Sequence, residues 1–411
     1  MADVIPFINY RPAPEAAAEY AALPYDVFSR AEAATEIAAH PLSFLRIDST
    51  TAIMPAEINE YDPCVYARTK ELLAADEHNG VLMLEPDRKP HYYLYRLVKG
   101  QHVQTGVVGC VSVDDYNNNI IKRHENTRTQ KRQDRIEHIT ALNAHTGPVL
   151  IAYRAHEDID EVVAAATTMS ATTSTMLYDF VAPDGIRHSV WRIDDDTIAA
   201  NIQQAFTGVS ALYIADGHHR AAAAALLGEQ RGGEASHFLA VLFPADQLKI
   251  LDYNRVVFDL NGHTLDEFLR LVGKTFELSK QPDTCASHRP DQRGIISMYV
   301  DKTWYRLAIP EYMRPNDPVM GLDVSLLQNL LLDPLLGIDD PRSSRRITHV
   351  GGARGLDELE RKADASGGVA FALYPCSFEE LFTVADAGEL MPPKSTWFEP
   401  KPRSGLFIHK I

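Results

Sequence analysis

Short apolar runs alternate along the chain with segments whose apolar residues recur every three or four positions, and this mixture predicts both strands and helices. Apolar runs predict three strands in the first part of the chain, at residues 81–84, 92–98 and 103–113. Residues 43–47 are read as a further strand, and the spacing over residues 61–75 predicts a helix. The first 120 residues are therefore expected to form an α/β lobe.

The alternation continues through the rest of the chain. Residues 211–215 predict a buried strand, and the alanine-rich residues 220–227 predict the helix that follows it. Two apolar runs, at residues 237–243 and 248–253, predict a hairpin. We expect a mixed-sheet core of the α/β class, with α+β as the alternative, in three parts: residues 1–120, 121–260 and 261–411.

Composition narrows the function classes. The 411 residues carry a formal net charge of −16, which argues against nonspecific nucleic-acid binding. Cys64, Cys110, Cys285 and Cys376 lie far apart, so neither a zinc ribbon nor a disulfide framework is expected. No apolar run reaches membrane-spanning length, and the first ten residues lack the basic start of a signal peptide. These features predict a cytoplasmic protein that does not bind membranes.

The turn between the strand at 211–215 and the helix after it has the sequence Asp216-Gly-His-His-Arg220. Four of these five residues have charged or titratable side chains. A helix N-terminus presents free N–H groups and a positive dipole end, which favour a phosphate or another anion. Arg220 adds a permanently charged planar fork, and Gly217 allows a ligand close to the backbone. Asp216, His218 and His219 can transfer protons. An ordinary turn with an N-cap and a surface histidine pair is the alternative interpretation.

A second polar stretch, residues 121–138, is the most highly charged in the chain. Its helix is predicted to begin at Thr127, and Arg128, Arg132 and Arg135 then share one helix face. Guanidinium groups on one face of an acidic protein favour recognition of phosphate or carboxylate. A solvated helix face with internal salt bridges is the alternative. Lys122, Arg123, His124 and Glu125 directly precede this helix.

The end of the chain contains Met391-Pro-Pro-Lys-Ser-Thr396. Lys394, Ser395, Thr396 and the nearby Lys401 are residue types that bind phosphate, while the prolines fix an extended path. A proline-stiffened strap that packs aromatic side chains onto the body of the protein is an equally good interpretation. We include Lys394 among the candidate phosphate-binding residues.

Several motifs in a fixed order resemble one widespread prokaryotic family, the domain of unknown function 1015 family. These motifs are Pro24-Tyr-Asp-Val27, Pro41-Leu-Ser-Phe-Leu-Arg46, Lys122-Arg-His-Glu-Asn-Thr-Arg128, Asp216-Gly-His-His-Arg220, Asn254-Arg255 and Met391-Pro-Pro-Lys-Ser-Thr396. The resemblance spans nearly the whole chain, and it implies no established activity.

The Asp216-Gly-His-His-Arg220 loop also resembles the phosphate-binding loop of the ParB/sulfiredoxin superfamily, which includes a free-serine kinase that uses ADP. The resemblance implies a ParB/sulfiredoxin-like central region between flanking α/β lobes. It also implies that Glu125, preceded by His124, acts as the base and that Asp216 supports it. A serine or phosphoserine substrate would be consistent with this resemblance.

Three functions remain open. The first is phosphoryl transfer, by a kinase or a phosphatase, on a small hydroxyl metabolite, with ADP or ATP and Mg²⁺ as cofactors of a kinase. The second is a non-catalytic sensor of a phosphorylated metabolite or nucleotide. The third is a metal-dependent hydrolase built on His124, Asp216, His218 and His219, although no metal ligands are assigned because neighbouring loop histidines seldom bind one ion.

If the two polar stretches form one site, Glu125 and Asp216 lie on one pocket. Arg128 and Arg220 would then face the same anion, and Lys122, Arg123, His124, Arg135 and Lys394 would complete the binding set. His218 and His219 would donate protons to the leaving oxygen. The acidity of the chain, and the lack of aromatic residues among these basic residues, predict no binding to duplex DNA.

Overall fold

A computed structural model describes residues 1–168, 173–282 and 288–411. Its strands are β1 Val4–Ile5, β2 Asn9–Pro12, β3 Leu82–Leu84, β4 Tyr93–Lys99, β5 His102–Ser112, β6 Ile121–Lys122, β7 Ala144–His145, β8 Val149–Tyr153, β9 Ser174–Val181, β10 Arg187–Ile193, β11 Leu212–Asp216, β12 His237–Pro244, β13 Ile250–Leu251, β14 Tyr253–Val257, β15 Glu277–Lys280, β16 Ile295–Val300, β17 Thr303–Ala308, β18 Ile347–Gly351, β19 Val369–Leu373, β20 Trp397–Phe398 and β21 Ile408–Lys410. Its α-helices are α1 Ala17–Tyr20, α2 Arg30–Ala39, α3 Leu45–Asp48, α4 Pro63–His78, α5 Val113–Asn117, α6 Thr129–Leu142, α7 Glu157–Thr168, α8 Asp196–Thr207, α9 His218–Arg231, α10 Leu265–Thr275, α11 Asp323–Leu327, α12 Asp357–Ser366 and α13 Phe378–Asp386.

The chain divides into two compact units. Unit 1 contains residues 1–123, 127–248 and 400–411, and unit 2 contains residues 124–126 and 249–399. The segments expected as separate lobes at residues 1–120 and 121–260 mostly join in unit 1, because strands from both belong to one sheet. The main part of unit 2 begins at residue 249, and the unit also includes the three residues His124, Glu125 and Asn126.

Unit 1 is built on a large mixed sheet, which confirms the predicted fold class. The strand order is β6-β11-β8-β12-β5-β4-β10-β9, and β1 pairs with β5. The pairs β6–β11 and β8–β12 are parallel, whereas β11–β8 and β12–β5 are antiparallel. Because β6 pairs with β11, Lys122 is opposite Tyr213, three residues before Asp216. The topology thus places one end of the charged stretch beside the strand that leads into the loop.

Helix α9 follows β11 and is packed on two sides, which explains its alanines. Ala221, Ala224 and Ala225 belong to the apolar cluster on the large sheet, while Ala223 packs with Ile139 of α6. Small side chains allow close approach of the helix to both neighbours. Gly228 shows how close this approach is, because a Cβ there would lie 2.4 Å from the Ala235 carbonyl oxygen. This packing fixes the N-terminus of α9.

The C-terminal segment from residue 400 belongs to unit 1. Strand β21 lies between β2 and β7 in a second sheet, of order β3-β2-β21-β7. Phe407 packs against Tyr93 and Tyr95 at ring-centroid distances of 5.7 and 5.6 Å. The segment therefore packs as a strap, and it also brings charged side chains into unit 1.

Unit 2 contains an antiparallel sheet of order β15-β17-β16-β19-β14-β18. Phe268 and Val272 of α10 pack on one face together with Leu327 of α11. Leu359 and Ala363 of α12 pack on the other face. The sheet is thus covered by helices on both faces, and its neighbouring strands β16 and β17 form an antiparallel hairpin.

Two sequence-based expectations were wrong. Residues 43–47, read as a strand, lead into helix α3, whose four residues are all buried. A short apolar run fits a buried helix as well as a strand, so its pattern does not separate the two. The runs at 237–243 and 248–253 do not pair as a hairpin, because β12 pairs with β5 and β8 while β13 pairs with β20.

Two further observations concern the cysteines and the apolar character of the helices. Cys64, Cys110 and Cys376 are free thiols, whereas Cys285 lies outside the described residues. Within the described ranges, no helix combines the length and apolar character needed to cross a bilayer.

Candidate functional site

The loop Asp216-Gly-His-His-Arg220 forms the junction between β11 and α9. Strand β11 ends at Asp216, Gly217 adopts the left-handed conformation with φ +97°, and α9 begins at His218. The Ala221 N–H already bonds to the Gly217 carbonyl oxygen at 2.9 Å. The N–H groups of residues 218–220 therefore come before the repeating hydrogen bonds of the helix, as an anion site at a helix N-terminus requires. We call residues 216–220 the anion loop.

Asp216 is held between two cations. Its Oδ1 accepts a hydrogen bond from Lys401 Nζ at 2.7 Å, and its Oδ2 accepts one from Arg220 Nη2 at 2.9 Å. Burial disfavours the charged carboxylate, but Lys401 and Arg220 outweigh burial and hold the pKa of Asp216 well below its usual range. Asp216 is therefore ionised at neutral pH, and both of its oxygens are engaged. This arrangement suits orientation of Arg220 and Lys401 better than proton transfer.

Arg220 folds back over the start of its own helix. Its Nη1 donates to the Pro148 carbonyl oxygen at 2.5 Å, while Nη2 bonds to Asp216. A Cβ on Gly217 would lie 2.9–3.0 Å from the Arg220 guanidinium group, so only glycine leaves room for this path. Glycine at position 217 thus serves both the backbone conformation and the position of Arg220.

Replacement of Gly217 by Ala should destabilise the protein by about 1–3 kcal/mol from backbone strain alone. The added methyl group should also displace Arg220 and weaken phosphate binding. Gly185→Ala is the matched control, because Gly185 has φ +77° and no atom within 4 Å of an added Cβ. Urea unfolding and phosphate titration of both variants test the prediction. Equal phosphate affinity in the two variants would contradict the proposed steric role.

The two loop histidines differ in their surroundings. Burial, assisted by His219, Arg123 and Arg220, lowers the pKa of His218 to about 3 despite the nearby Asp216. His218 is therefore neutral at physiological pH. The Arg128 N–H donates to His219 Nε2 at 3.1 Å, which assigns the proton of a neutral His219 ring to Nδ1. Neither ring is arranged as an imidazolium acid.

The structure brings part of the charged stretch to the anion loop. Lys122 lies on β6 beside β11, and the backbone of Arg128 contacts His219. Arg123 is exposed, with its guanidinium 5.0 Å from the centroid of the Tyr116 ring. Arg128, Arg132 and Arg135 do not share an environment, because Arg128 is exposed and Arg135 is buried. Arg135 and Arg220 line one cavity of unit 1.

Three predicted site residues belong to unit 2: His124, Glu125 and Lys394. His124 is buried, its Nε2 lies 3.3 Å from Thr396 Oγ1, and its carbonyl oxygen accepts from the Met391 N–H at 2.8 Å. Glu125 is half-buried. Within unit 2, this short segment therefore lies against the motif Met391–Thr396.

Arg255 fixes the shape of that motif. It is buried, and it donates to the carbonyl oxygens of Tyr253, Pro393 and Lys394 at 2.5, 3.1 and 3.0 Å. Lys394 has φ +60°, an uncommon backbone for a side chain of this size, and its Nζ lies 5.6 Å from the Tyr253 ring centroid. Burial lowers the pKa of Arg255 to about 10, which leaves it charged at neutral pH. Arg255 is thus a structural cation for the motif.

The metal-site alternative gains no geometric support. Among the residues that the structure describes, no group of three or more His, Cys, Asp or Glu side chains is arranged to hold an ion. Asp216 in particular already directs both oxygens to cations.

Lys401 is the main addition to the sequence-based site. It is 5% exposed and bonds directly to Asp216, although 185 positions separate the two. The residue type marked Lys401 as able to bind phosphate, but no local pattern connected it with the anion loop.

The chain thus has a mixed α/β fold, and its anion loop lies at a strand–helix junction. The chain belongs to the family described as protein of unknown function (DUF1015), whose model matches residues 4–325. The comparison with curated proteins gave no match.

Solved structures show only weak likeness to this chain. A free serine kinase in complex with AMP is 15% identical, with a TM-score of 0.35, and the match covers 74% of this chain and 91% of that one. SbnI with a C-terminal truncation from Staphylococcus aureus is 14% identical, with a TM-score of 0.37 and coverages of 72% and 85%. A conserved hypothetical protein from Pyrococcus furiosus is also 14% identical, with a TM-score of 0.36 and coverages of 75% and 96%.

Proposed function

We propose that the protein transfers a phosphoryl group between a nucleotide and a small hydroxyl metabolite. The observation that carries this proposal is the anion loop, where Arg220 and Lys401 are fixed by Asp216 at the start of α9. Fixed positive charge and free N–H groups are the main protein contribution to phosphoryl transfer, which depends on positioning and electrostatic stabilisation.

In this proposal some residues of the anion loop bind the phosphate group, and Asp216 orients the cations that bind it. The N–H groups of residues 218–220 and the Arg220 guanidinium group hold a phosphate group, with Arg128 and Arg123 as further cations. Asp216 keeps Arg220 and Lys401 in place, because its carboxylate is already engaged by both. His219 donates a hydrogen bond from Nδ1 to the phosphate group, and the buried, neutral His218 has a structural role in the loop. Lys122, His124 and Lys394 remain proposed members of the binding set.

Glu125 is the proposed base. In the forward reaction the acceptor oxygen forms a bond to the terminal phosphorus of ADP or ATP, and the bond from that phosphorus to the bridging oxygen breaks. The acceptor proton passes to Glu125, and the nucleotide leaves with one phosphoryl group fewer. Mg²⁺ would enter with the nucleotide phosphates, since Asp216 does not offer an open carboxylate to the ion.

Serine and phosphoserine are the finer substrate proposal, and the loop resemblance to the ParB/sulfiredoxin superfamily motivates it. The deciding assay incubates purified protein with serine plus ADP or ATP, and separately with phosphoserine plus AMP or ADP, and follows both products. Turnover with one pair establishes the reaction and its donor. Absence of turnover with these and related phosphometabolites would remove the enzyme assignment.

One observation favours the alternative of a non-catalytic sensor. Asp216 is engaged in two ion pairs and the pKa of His218 is far below neutral, so neither group of the anion loop is suited to proton transfer at neutral pH. A sensor would show stabilisation by ADP or phosphoserine without product formation.

Replacement of Glu125 by Gln separates the two functions. The substitution keeps the size and removes the proposed base, so turnover should fall about 10²–10⁴-fold while nucleotide affinity stays within about twofold. Glu137→Gln, on the exposed side of α6, is the control of equal charge change. Product formation and isothermal titration measure the two effects. Unchanged turnover in Glu125→Gln would exclude Glu125 as the base.

A further inference from the structure

A cavity inside unit 1 adjoins the anion loop, and polar and apolar residues line it in equal number. Its polar and charged lining residues are Asp48, Arg135, His138, His145, Thr146 and Arg220. Arg220 is the residue that links the two sites, because it lines the cavity and also bonds to Asp216 of the loop. Asp48, His138, His145 and Thr146 have no role in the anion loop itself.

His145 is the most informative of these residues. It lies at the end of β7, is 5% exposed, and neither ring nitrogen has a hydrogen-bond partner among the described residues. Burial, followed by His409 and Arg231, lowers the pKa of His145 to about 3, so the ring is neutral. A neutral imidazole offers one donor and one acceptor, and leaving both unmet in a buried position is costly. A bound polar molecule would satisfy them.

His138 offers complementary chemistry. Its Nε2 lies 3.2 Å from the Ile47 carbonyl oxygen, which places the ring proton on Nε2 and leaves Nδ1 as an acceptor. Burial and then Arg135 lower the pKa of His138 to about 4, so this ring is also neutral. Two neutral imidazoles that together donate and accept match a ligand that carries both a hydrogen-bond donor and an acceptor.

The charged lining residues are paired rather than purely cationic. Arg135 donates to Asp134 Oδ2 from Nε at 2.9 Å and from Nη2 at 2.8 Å, and its guanidinium lies 4.0 Å from the Tyr25 ring centroid. Its Nη1 is 3.8 Å from Asp48 Oδ1, and His138 Nε2 is 3.7 Å from the same oxygen. A lining with both signs of charge favours a ligand that carries both signs over a simple anion.

We propose that this cavity binds the phosphoryl acceptor, and that the acceptor is a small zwitterionic hydroxyl compound of the amino-acid type. Its carboxylate faces Arg135, its ammonium group faces Asp48, both groups contact ring nitrogens of His138 and His145, and its hydroxyl group faces Arg220 on the side of the anion loop. This inference rests on the proposed function for the reaction, whereas the binding site stands on the cavity itself.

The test is acceptor binding measured separately from nucleotide binding. Serine is titrated into the full-length protein by calorimetry, and glycerate and ethanolamine serve as analogues that each lack one of the two charges. ADP is titrated as the probe of the anion loop. The variants are His145→Phe and Asp48→Asn, and the control is His237→Phe, because His237 does not line the cavity.

The wild type should bind serine at least tenfold more tightly than either analogue. His145→Phe and Asp48→Asn should each raise the Kd for serine at least tenfold, with ADP affinity unchanged. A purely structural His145 gives a different result, because Phe removes two unmet polar atoms, so the Tm should hold or rise and serine binding should not change. Equal serine affinity in wild type and both variants, or no serine binding to the wild type, would overturn the inference.

These outcomes are separable from failure of the proposed function. If serine binds through His145 and Asp48 but no phosphoryl group is transferred, the cavity assignment holds and the enzyme assignment fails. If turnover with serine is unaffected by His145→Phe and Asp48→Asn, the enzyme assignment holds and the cavity assignment fails.

Discussion

Asp216→Asn should lower the free energy of unfolding by about 3–5 kcal/mol, because removal of one member of a buried ionic cluster leaves the other charges without compensation. The amide would face two cations, Lys401 at 2.7 Å and Arg220 at 2.9 Å from the present carboxylate oxygens. The side chains of Lys401, Arg220 and Asp216 are 6%, 14% and 20% exposed, so water replaces the lost charge only in part. Urea unfolding at neutral pH measures the loss.

Asp179→Asn provides a matched control. Asp179 also accepts from an arginine, Arg187, but that side chain is 56% exposed, and such a pair should contribute no more than about 1 kcal/mol. A loss below about 1 kcal/mol for Asp216→Asn as well would show that the anion loop is not held by its ion pairs.

The pH dependence gives an independent check. Because the pKa of Asp216 is depressed in the folded protein, its contribution is fully present above the ordinary aspartate pKa of about 4 and is lost as the pH falls below it. The stability difference between wild type and Asp216→Asn should therefore be constant above about pH 5 and shrink in acid. A difference that grows in acid would contradict the assigned ion pairs.

The sequence predicts the anion loop well because its geometry is local. A buried strand, a glycine and an alanine-rich helix follow one another directly, and the structure places Gly217 in the left-handed conformation at this junction. Strands β4, β5 and β12 of the large sheet likewise coincide with the apolar runs at residues 92–98, 103–113 and 237–243. The strand read at residues 43–47 and the hairpin read at 237–253 failed, because burial and strand pairing depend on distant segments.

The prediction that the arginines share one face of α6 failed for a different reason. Helical spacing predicts that Arg128 and Arg135 share a face, but Arg128 is the N-cap of α6, with φ −76° and ψ 129°. The 100° rotation per residue does not apply to a residue outside the helix. Arg135 instead turns inward and stacks on Tyr25.

Lys401, Asp48 and His145 could not be connected to the loop from the sequence. They come from the C-terminal segment, from α3 and from β7, and the fold alone brings them to the anion loop or its cavity. Lone polar residues carry no periodic signal, and a lone histidine is more often a structural residue than a ligand-binding one. His145 becomes informative only through its burial and its unmet nitrogens.

Arg128 and Arg220 provide the second large prediction. Each Arg→Ala change should weaken phosphate or ADP binding by about 1.5–3 kcal/mol, the range for hydrogen bonds to charged groups. This corresponds to a Kd increase of about 10- to 150-fold. Arg220 is held toward the loop by Pro148 and Asp216, and the backbone of Arg128 reaches His219 in the same loop. Calorimetric titration with ADP measures both effects.

The double variant tests whether the two arginines hold one ligand group. If they do, the double variant should lose less ADP-binding free energy than the sum of the two single variants, by more than about 0.5 kcal/mol. The reason is that the first substitution already frees the ligand group that the second arginine contacts. Arg132→Ala is the control of equal charge change, one turn further along α6, and should alter ADP affinity less than twofold. Additive losses would assign Arg128 and Arg220 to separate ligand groups. A loss in Arg132→Ala as large as in Arg128→Ala would reduce the role of Arg128 to general electrostatic attraction.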